Sequence, residues 1–147
     1  RGAAQTFAHQ LQYLRPGVQL VDVAAGNFTD VLLGDPSRCA LVMFEMRRYS
    51  RLAFLLASEA RRVGIATTLI TDSYCHWGRD VVDELFAVPT DMNLFWDSNA
   101  LLLNLINRLV GGIFAELGPA VEERMNAVSA LYSKFIGYVD DPTGPQT

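Results

Sequence analysis

The chain has 147 residues, of which 50% are hydrophobic, and it carries a formal net charge of −4. These values predict one globular domain with a sizeable core, and the acidic balance excludes a basic nucleic-acid-binding surface in this part of the protein. Two cysteines, Cys39 and Cys75, fit a reduced cytoplasmic setting better than a disulfide framework. We find no signal peptide and no membrane segment, because polar residues interrupt the apolar stretch 101–117.

The first third of the chain alternates between helical and strand patterns. Residues 3–14 have apolar side chains at helical spacing, and Pro16-Gly17 predicts the end of that helix. Residues 18–23 (VQLVDV) predict a short strand. A short helix, with Asn27 as its cap, is expected to run to about Leu33 and to be followed by a turn cluster.

The stretch from Cys39 to Asp72 predicts a βαβ unit. Residues 39–45 predict a strand that opens with an apolar run at 39–44, and near-continuous apolarity is typical of a strand in a parallel sheet that is covered on both faces. A helix is predicted over residues 50–63, with Ser50 as its N-cap and Gly64 at its end. Residues 66–70 predict the next strand, and a loop follows from Thr71 to Arg79.

The remaining elements continue the alternation. One helical turn is predicted at 80–84, a short strand at 85–88, a long helix from Asn93 or Phe95 to Leu117, and an amphipathic helix from Pro119 to about Tyr138. A disordered tail is predicted from Asp140 to Thr147. The pattern predicts an α/β fold, a three-layer sandwich with a parallel sheet flanked by helices, in a domain spanning residues 1–139. Four strands are visible, and we expect a further first strand upstream of Arg1.

The turn between the first βαβ strand and its helix is the candidate ligand site. In such sheets, ligands bind outside the carboxyl ends of the strands, beside helix N-termini. Arg47 and Arg48 suit the recognition of phosphate or carboxylate, and they fit a surface or interface salt bridge equally well. Tyr49 either stacks on a ligand or packs within the loop. Ser50 is a cap and a possible donor, and Asp72 either orients a ligand hydroxyl or caps the following turn.

Three segments together resemble the sugar isomerase (SIS) domain, specifically that of RpiR/MurR-type bacterial transcription regulators. Residues 42–50 fall where that family has a Ser-x-Ser-Gly-x-Thr phosphate loop. Residues 61–73 (RRVGIATTLITDS) are similar to its Ala-Lys-x-x-Gly-Ala-x-x-Ile-x-Ile-Thr-Asp-Ser segment, and residues 82–89 (VDELFAVP) to its Ala-Asp-x-x-Leu-x-Val-Pro segment. The resemblance spans about residues 3–117 and implies the SIS-type sheet.

The phosphate loop departs from the family pattern. Glu45 stands at the first serine, Arg47 at the second, Arg48 at the glycine and Ser50 at the threonine. The hydroxyl cradle is therefore mostly replaced, and arginine charge with the helix N-terminus is expected to hold an anion instead. Glu45 would oppose an anion, pair with an arginine or accept a hydrogen bond from a sugar hydroxyl. The catalytic residues of SIS isomerases have no matching position, and we identify no catalytic residue, metal ligand or cofactor motif.

The resemblance implies an effector-sensing domain, not an enzyme. Its ligand would be a small anionic metabolite, such as a phosphorylated sugar, bound at the 45–51 loop with Glu45, Arg47, Arg48, Tyr49, Ser50 and Asp72 as site residues. We expect a homodimer or higher homo-oligomer, DNA contacts only through an upstream domain, and no membrane contact. One alternative is a sugar-phosphate aldose/ketose isomerase, with Glu45 or His76 as its base. The other is a degenerate SIS domain that serves only dimerisation.

The aromatic residues, the histidine and the cysteine near the loop are predicted to have structural roles or to lie in an interface. Trp77, Phe95 and Trp96 are predicted to anchor loops around the cleft or to lie in a subunit interface. His76 is predicted to be a loop or interface residue, because its surroundings in sequence offer no partner for catalysis. Cys75 lacks a Cys-x-x-Cys partner and is predicted to be inert.

Overall fold

The structure of the chain is a computed structural model that describes residues 1–136. Its helices and strands, in chain order, are α1 (Gly2–Leu14), α2 (Thr29–Leu33), β1 (Ala40–Glu45), α3 (Arg51–Val63), β2 (Ala66–Asp72), β3 (Glu84–Val88), α4 (Ala100–Leu117) and α5 (Ala120–Ile136). The predicted domain boundary at 139 and the predicted tail lie outside the described residues.

The three described strands form one parallel sheet in the order β1-β2-β3. The register pairs Glu45 at the end of β1 with Thr71 in β2, and Asp72 at the end of β2 with Val88 at the end of β3. The carboxyl ends of all three strands therefore meet at one edge. The predicted α/β class, with a parallel sheet flanked by helices, is confirmed.

Each face of the sheet packs against helices, because successive side chains of a strand point to opposite faces. On one face, buried side chains of β1 and β2 contact α3, in a cluster that includes Leu41, Met43, Leu69, Leu56, Ala57 and Ala60. On the other face, Ile70 and the partly buried Phe44 pack against α1 and α4, in a cluster that includes Phe7, Leu102 and Ile106. Burial of one large side chain contributes roughly 1.5–3 kcal/mol, so both faces stabilise the sheet.

Helix α3 begins and ends where the sequence predicts. The Ser50 side-chain oxygen accepts a hydrogen bond from the Leu52 N–H at 3.1 Å, which confirms the predicted N-cap. Gly64 ends the helix with φ +86°, a conformation that glycine adopts without steric cost. Arg61 and Arg62 lie in the last turn, where positive charge opposes the helix dipole.

The predicted strand at residues 18–23 is wrong. Residues 18–22 have no regular structure, and a 3-10 turn follows at Val23–Ala25. A strand needs a neighbouring strand to satisfy its backbone, and the sheet order places none beside this segment. Local bonds turn the chain instead, since the Asp22 side chain accepts from the Ala24 N–H and Asn27 accepts from the Asp22 N–H at 2.7 Å. Asn27 therefore does not cap α2, which begins at Thr29.

Several predicted boundaries shift. The helical turn predicted at 80–84 is a 3-10 turn at Gly78–Asp80, and β2 extends through Asp72. The long helix begins at Ala100, because residues 91–99 form an irregular segment in which Asn93 has φ 57°.

Helix α4 is apolar on most of its surface. Leu102 and Ile106 are buried, whereas Leu103, Phe114 and Leu117 are each more than 40% exposed. By length and composition alone, α4 is also apolar enough to cross a membrane, a test that core helices of soluble proteins pass as well. The exposed apolar face is the kind of surface that subunits cover in oligomers.

Candidate ligand site at the β1–α3 loop

The six predicted site residues lie together at the carboxyl edge of the sheet. Glu45 ends β1, residues 46–50 form the loop, and Asp72 ends β2 beside it. The loop leads directly into the N-terminus of the 13-residue helix α3. The geometry matches the general position of ligand sites in parallel sheets, while the binding of a ligand by these residues stays a prediction.

Asp72 organises the loop. Its side chain is 1% exposed, and its two oxygens accept three hydrogen bonds. The Arg47 N–H donates to Oδ2 at 2.7 Å, while the Tyr49 hydroxyl and the Tyr74 N–H donate to Oδ1 at 2.5 and 2.8 Å. The carboxylate thus connects the loop after β1 to the loop after β2, and Tyr49 packs within the loop.

The charge of Asp72 is stabilised by these contacts. Burial alone would raise the pKa of Asp72, but the hydrogen bonds from Tyr49, Arg47 and Tyr74, with the positive charge of Arg47, lower it below its usual value. The pKa of Tyr49 is raised, first by burial and then by its hydrogen bond to Asp72 and the negative charge there. Asp72 is therefore an ionised acceptor and Tyr49 a neutral donor at neutral pH.

Arg47 is held by two neighbours. Its guanidinium carbon lies 3.9 Å from the centre of the Tyr74 ring, a cation–π contact. Its Nη2 atom lies 3.2 Å from Oδ2 and 3.3 Å from Oδ1 of Asp97, in the segment that precedes α4. Both ion-pair side chains are partly exposed, so the pair is screened by solvent and contributes little stability. Arg47 thus connects the loop to the segment before α4.

Arg48 is the arginine that remains available for a ligand. Its side chain is exposed, and within residues 1–136 its guanidinium makes no hydrogen bond and no ion pair. It lies two residues before the N-cap of α3, where backbone N–H groups and the helix dipole favour an anion.

Glu45 does not pair with either arginine. Its Oε1 atom accepts a hydrogen bond from the Ser50 N–H, so the carboxylate lies at the N-terminus of α3. Burial raises the pKa of Glu45, although the hydrogen bond from the Ser50 N–H acts in the opposite direction. The side chain is half-buried, and it brings a negative charge to the N-terminus of α3.

Two further residues contact this loop and were not predicted. Tyr74 and Asp97 contact Arg47, and no local pattern connects residue 97 with a loop 50 residues earlier. Thr71 and Thr90 are buried, and neither side-chain oxygen has a hydrogen-bond partner in the described part of the chain. Because β2 also contains Thr67 and Thr68, no sequence signal singles out Thr71.

The aromatic residues near the site have different environments. Trp77 packs edge-on against Phe54 of α3 at 5.6 Å between ring centres, so it stabilises the loop after β2. Phe95 and Trp96 are 93% and 78% exposed and contact each other at 5.4 Å. His76 is exposed. The arrangement leaves Phe95 and Trp96 available for a contact outside the described residues.

Comparison with solved structures identifies the fold. The chain is similar to the sugar isomerase domain of an RpiR transcription factor from Sphaerobacter thermophilus, with a TM-score of 0.64 and 20% identity over 91% of this chain and 73% of that one. It is also similar to the Vibrio vulnificus NanR protein complexed with ManNAc-6P, with a TM-score of 0.70 and 13% identity over 96% of this chain and 55% of that one. The chain has the sugar isomerase domain fold.

The likeness lies in the fold and not in a close sequence relationship. No family model matches the chain, and no curated protein matches it. At identities of 20% and 13%, residue roles do not transfer from these structures. The assignment of the sugar isomerase domain fold agrees with the three sequence segments that suggested it.

Proposed function

We propose that the chain is the effector-sensing domain of an RpiR-type, DNA-binding transcription regulator. The effector is a small anionic metabolite, and a phosphorylated sugar fits best. Two observations from known proteins support the proposal, since one structural neighbour is a transcription factor by name and the other is complexed with the sugar phosphate ManNAc-6P.

The main structural support for an anionic ligand is the position of Arg48 beside the N-terminus of α3. Arg48 is exposed and lies two residues before the N-cap of α3, at the carboxyl edge of a parallel sheet. Arginine and helix N-termini both favour phosphate, the first through a planar pair of donors and the second through free N–H groups. Asp72 and Tyr49 hold the loop in place, so the anion site is organised before a ligand arrives.

The sensing mechanism is a shift between two arrangements of a homodimer. A ligand that binds one arrangement more tightly increases its population, and the dimer then presents its upstream DNA-binding domains differently. The exposed apolar side chains of α4 and the exposed pair Phe95 and Trp96 supply surface for a dimer contact. Light scattering of the purified chain measures this assembly directly. Such a regulator acts in the cytoplasm.

An isomerase is the second candidate, and the site gives it little support. Isomerisation of a sugar phosphate needs a base within hydrogen-bond reach of the sugar carbons. Glu45 is engaged at the helix N-terminus, and His76 is exposed. An assay for interconversion of aldose and ketose phosphates tests this activity, and turnover that is lost in Glu45→Gln would favour the enzyme.

Calorimetry with a panel of sugar phosphates, including ManNAc-6P, tests the proposed effector class. Arg48→Ala is expected to weaken the binding of the best ligand by roughly 10- to 100-fold, because a hydrogen bond to a charged group contributes about 1.5–3 kcal/mol. Arg38→Ala is the matched control, since Arg38 is also exposed but lies before β1, at the opposite edge of the sheet. If no sugar phosphate binds, the effector proposal fails and a purely dimerising domain is favoured.

A further inference from the structure

The N-terminus of α3 already holds a negative charge from the protein itself. Glu45 Oε1 accepts the Ser50 N–H, and the Ser50 side chain accepts the Leu52 N–H at 3.1 Å. The first N–H groups of a helix have no partner within the helix and are the donors that bind anions. The Glu45 carboxylate therefore occupies the position that a phosphate group would take.

A buried hydroxyl without a hydrogen-bond partner among residues 1–136 lies on the same face of the sheet as Glu45. Thr71 is the register neighbour of Glu45, and neighbouring side chains in a parallel sheet point to the same face. That face is the one covered by α3, because Met43 and Leu69, two residues earlier on each strand, pack in the α3 cluster. The Thr71 hydroxyl is fully buried beside Glu45 without a hydrogen-bond partner among residues 1–136. It is an unused donor, and an unpaired buried donor is costly.

We propose that Glu45 is an internal anion that competes with the ligand for the N-terminus of α3. A phosphate or sulfate group binds there only when the carboxylate is displaced or protonated. The inference rests on the proposed function, because it concerns the same anion site. It makes Glu45 a residue that determines which anions this site accepts. A ligand must bring enough binding energy through its other groups to move Glu45, so simple anions are rejected and larger phosphorylated ligands are selected.

Protonation is one route to neutralise Glu45, and burial favours it. Other ionisable groups lie on the adjoining elements and also affect an anion there. They are Arg47, Arg48 and Tyr49 in the loop, Arg51 at the start of α3, and Asp72 at the end of β2. A pH dependence is therefore assigned to Glu45 only when it disappears in a variant that lacks this carboxyl.

Sulfate is the probe, because it remains a dianion across the working pH range and its own titration does not interfere. Calorimetry compares the wild-type chain with Glu45→Gln, Glu45→Ser and the control Glu84→Gln at pH 7.5. Glutamine keeps an oxygen for the Ser50 N–H without the charge, whereas serine is neutral and too short to reach it. Glu84 is an exposed carboxylate at the start of β3, at the opposite edge of the sheet, and its variant carries the same change in net charge.

The expected result is that both Glu45 variants bind sulfate about tenfold more tightly than the wild type, as Coulomb's law in water gives for a dianion near one unit charge. Glu84→Gln binds as the wild type does. Wild-type affinity rises as the pH falls toward the pKa of Glu45, and Glu45→Gln loses most of that dependence. Circular dichroism checks that each variant is folded. If Glu45→Gln does not fold, Glu45→Ser alone shows whether loss of the carboxylate strengthens sulfate binding.

Three results overturn the internal anion: Glu45 variants that bind sulfate within twofold of the wild type, Glu45 variants that do not bind it at all, and an equal gain in Glu84→Gln. The sugar-phosphate panel separates this failure from a failure of the proposed function. If the wild type binds a sugar phosphate and Glu45→Gln binds it no better, the internal anion is refuted while the effector site stands. If the wild type binds none and the Glu45 variants gain sulfate, the internal anion is supported and the effector class is refuted.

Discussion

Asp72→Asn is the change that tests most directly how the loop is held. The aspartate accepts one hydrogen bond at Oδ2, from the Arg47 N–H, and two at Oδ1, from Tyr49 and Tyr74. Asparagine has one side-chain oxygen, which can keep the two bonds at the Oδ1 position. Its NH2 group then faces the Arg47 N–H, donor against donor.

The expected loss of stability follows from those bonds. A hydrogen bond to a charged group contributes about 1.5–3 kcal/mol, and one is lost outright. The other two lose their ionic character, which costs roughly 1 kcal/mol more in total, since charge-assisted bonds are about twice as strong as neutral ones. The free energy of unfolding should therefore fall by about 3 kcal/mol, which corresponds to a melting temperature lower by roughly 10 °C for a domain of this size.

Urea unfolding followed by the fluorescence of Trp77 and Trp96 measures this loss at pH 7. Asp91→Asn is the matched control, because Asp91 is exposed and accepts a single turn bond, from the Asn93 N–H at 3.1 Å. Its effect should stay within about 0.5 kcal/mol, as for most surface changes.

The same experiment has a defined pH dependence. The pKa of Asp72 is lowered on folding, so the native carboxyl binds fewer protons than the unfolded one. Its stabilisation is fully present well above 3.8, the ordinary pKa of an aspartate, and is lost as the pH falls through the lower, native pKa. The difference between the wild type and Asp72→Asn should therefore shrink in acid. A loss below 1 kcal/mol at pH 7, or a difference that does not depend on pH, would show that Asp72 does not hold the loop.

Two further substitutions test the elements on either side of the loop. Ser50→Ala removes the N-cap of α3 and should lower the free energy of unfolding by about 1 kcal/mol in urea, and an unchanged value would mean that the cap bond is not formed. Gly78→Ala places a Cβ 2.6 Å from Leu69 Cδ2 and 2.7 Å from Leu85 Cδ1, so it should cost about 1–3 kcal/mol, whereas Gly111→Ala, with open space around it, should not destabilise.

The parts of the fold that the sequence predicts well are those set by local patterns. The helix at 51–63 is defined by its apolar spacing, the Ser50 cap and Gly64, all within one stretch of chain. The three described strands follow short apolar runs. The strand predicted at 18–23 has the right pattern as well, but a strand also needs a neighbour, and the sheet order supplies none there. Pairing is a non-local property, and one segment does not encode it.

The grouping of the six candidate residues at one edge of the sheet was predictable, but the contacts of their side chains were predictable only in part. Both Glu45 and Asp72 are acidic residues at strand ends, and the sequence offered the same kind of role to each, a hydrogen bond to a ligand hydroxyl. The folded chain uses Asp72 to hold the loop and Glu45 to fill the helix N-terminus. Arg47 and Arg48 are adjacent and chemically identical, yet among residues 1–136 only Arg47 has side-chain partners, Asp97 and Tyr74, which come from other loops. The sequence does not show which of two adjacent arginines contacts a partner, because the backbone of the turn determines where each side chain points.

This division of roles determines how an anion would be recognised here. The hydroxyl-lined loop of the sugar isomerase pattern binds phosphate with neutral donors and has no charge to displace. In this chain the corresponding loop carries a carboxylate at the helix N-terminus and one arginine without a partner among residues 1–136. Entry of an anion therefore exchanges one negative charge for another, so the net electrostatic gain comes from Arg48 and not from the helix. Affinity should then depend on Arg48 and on Glu45 in opposite directions, which a purely dimerising domain would not show.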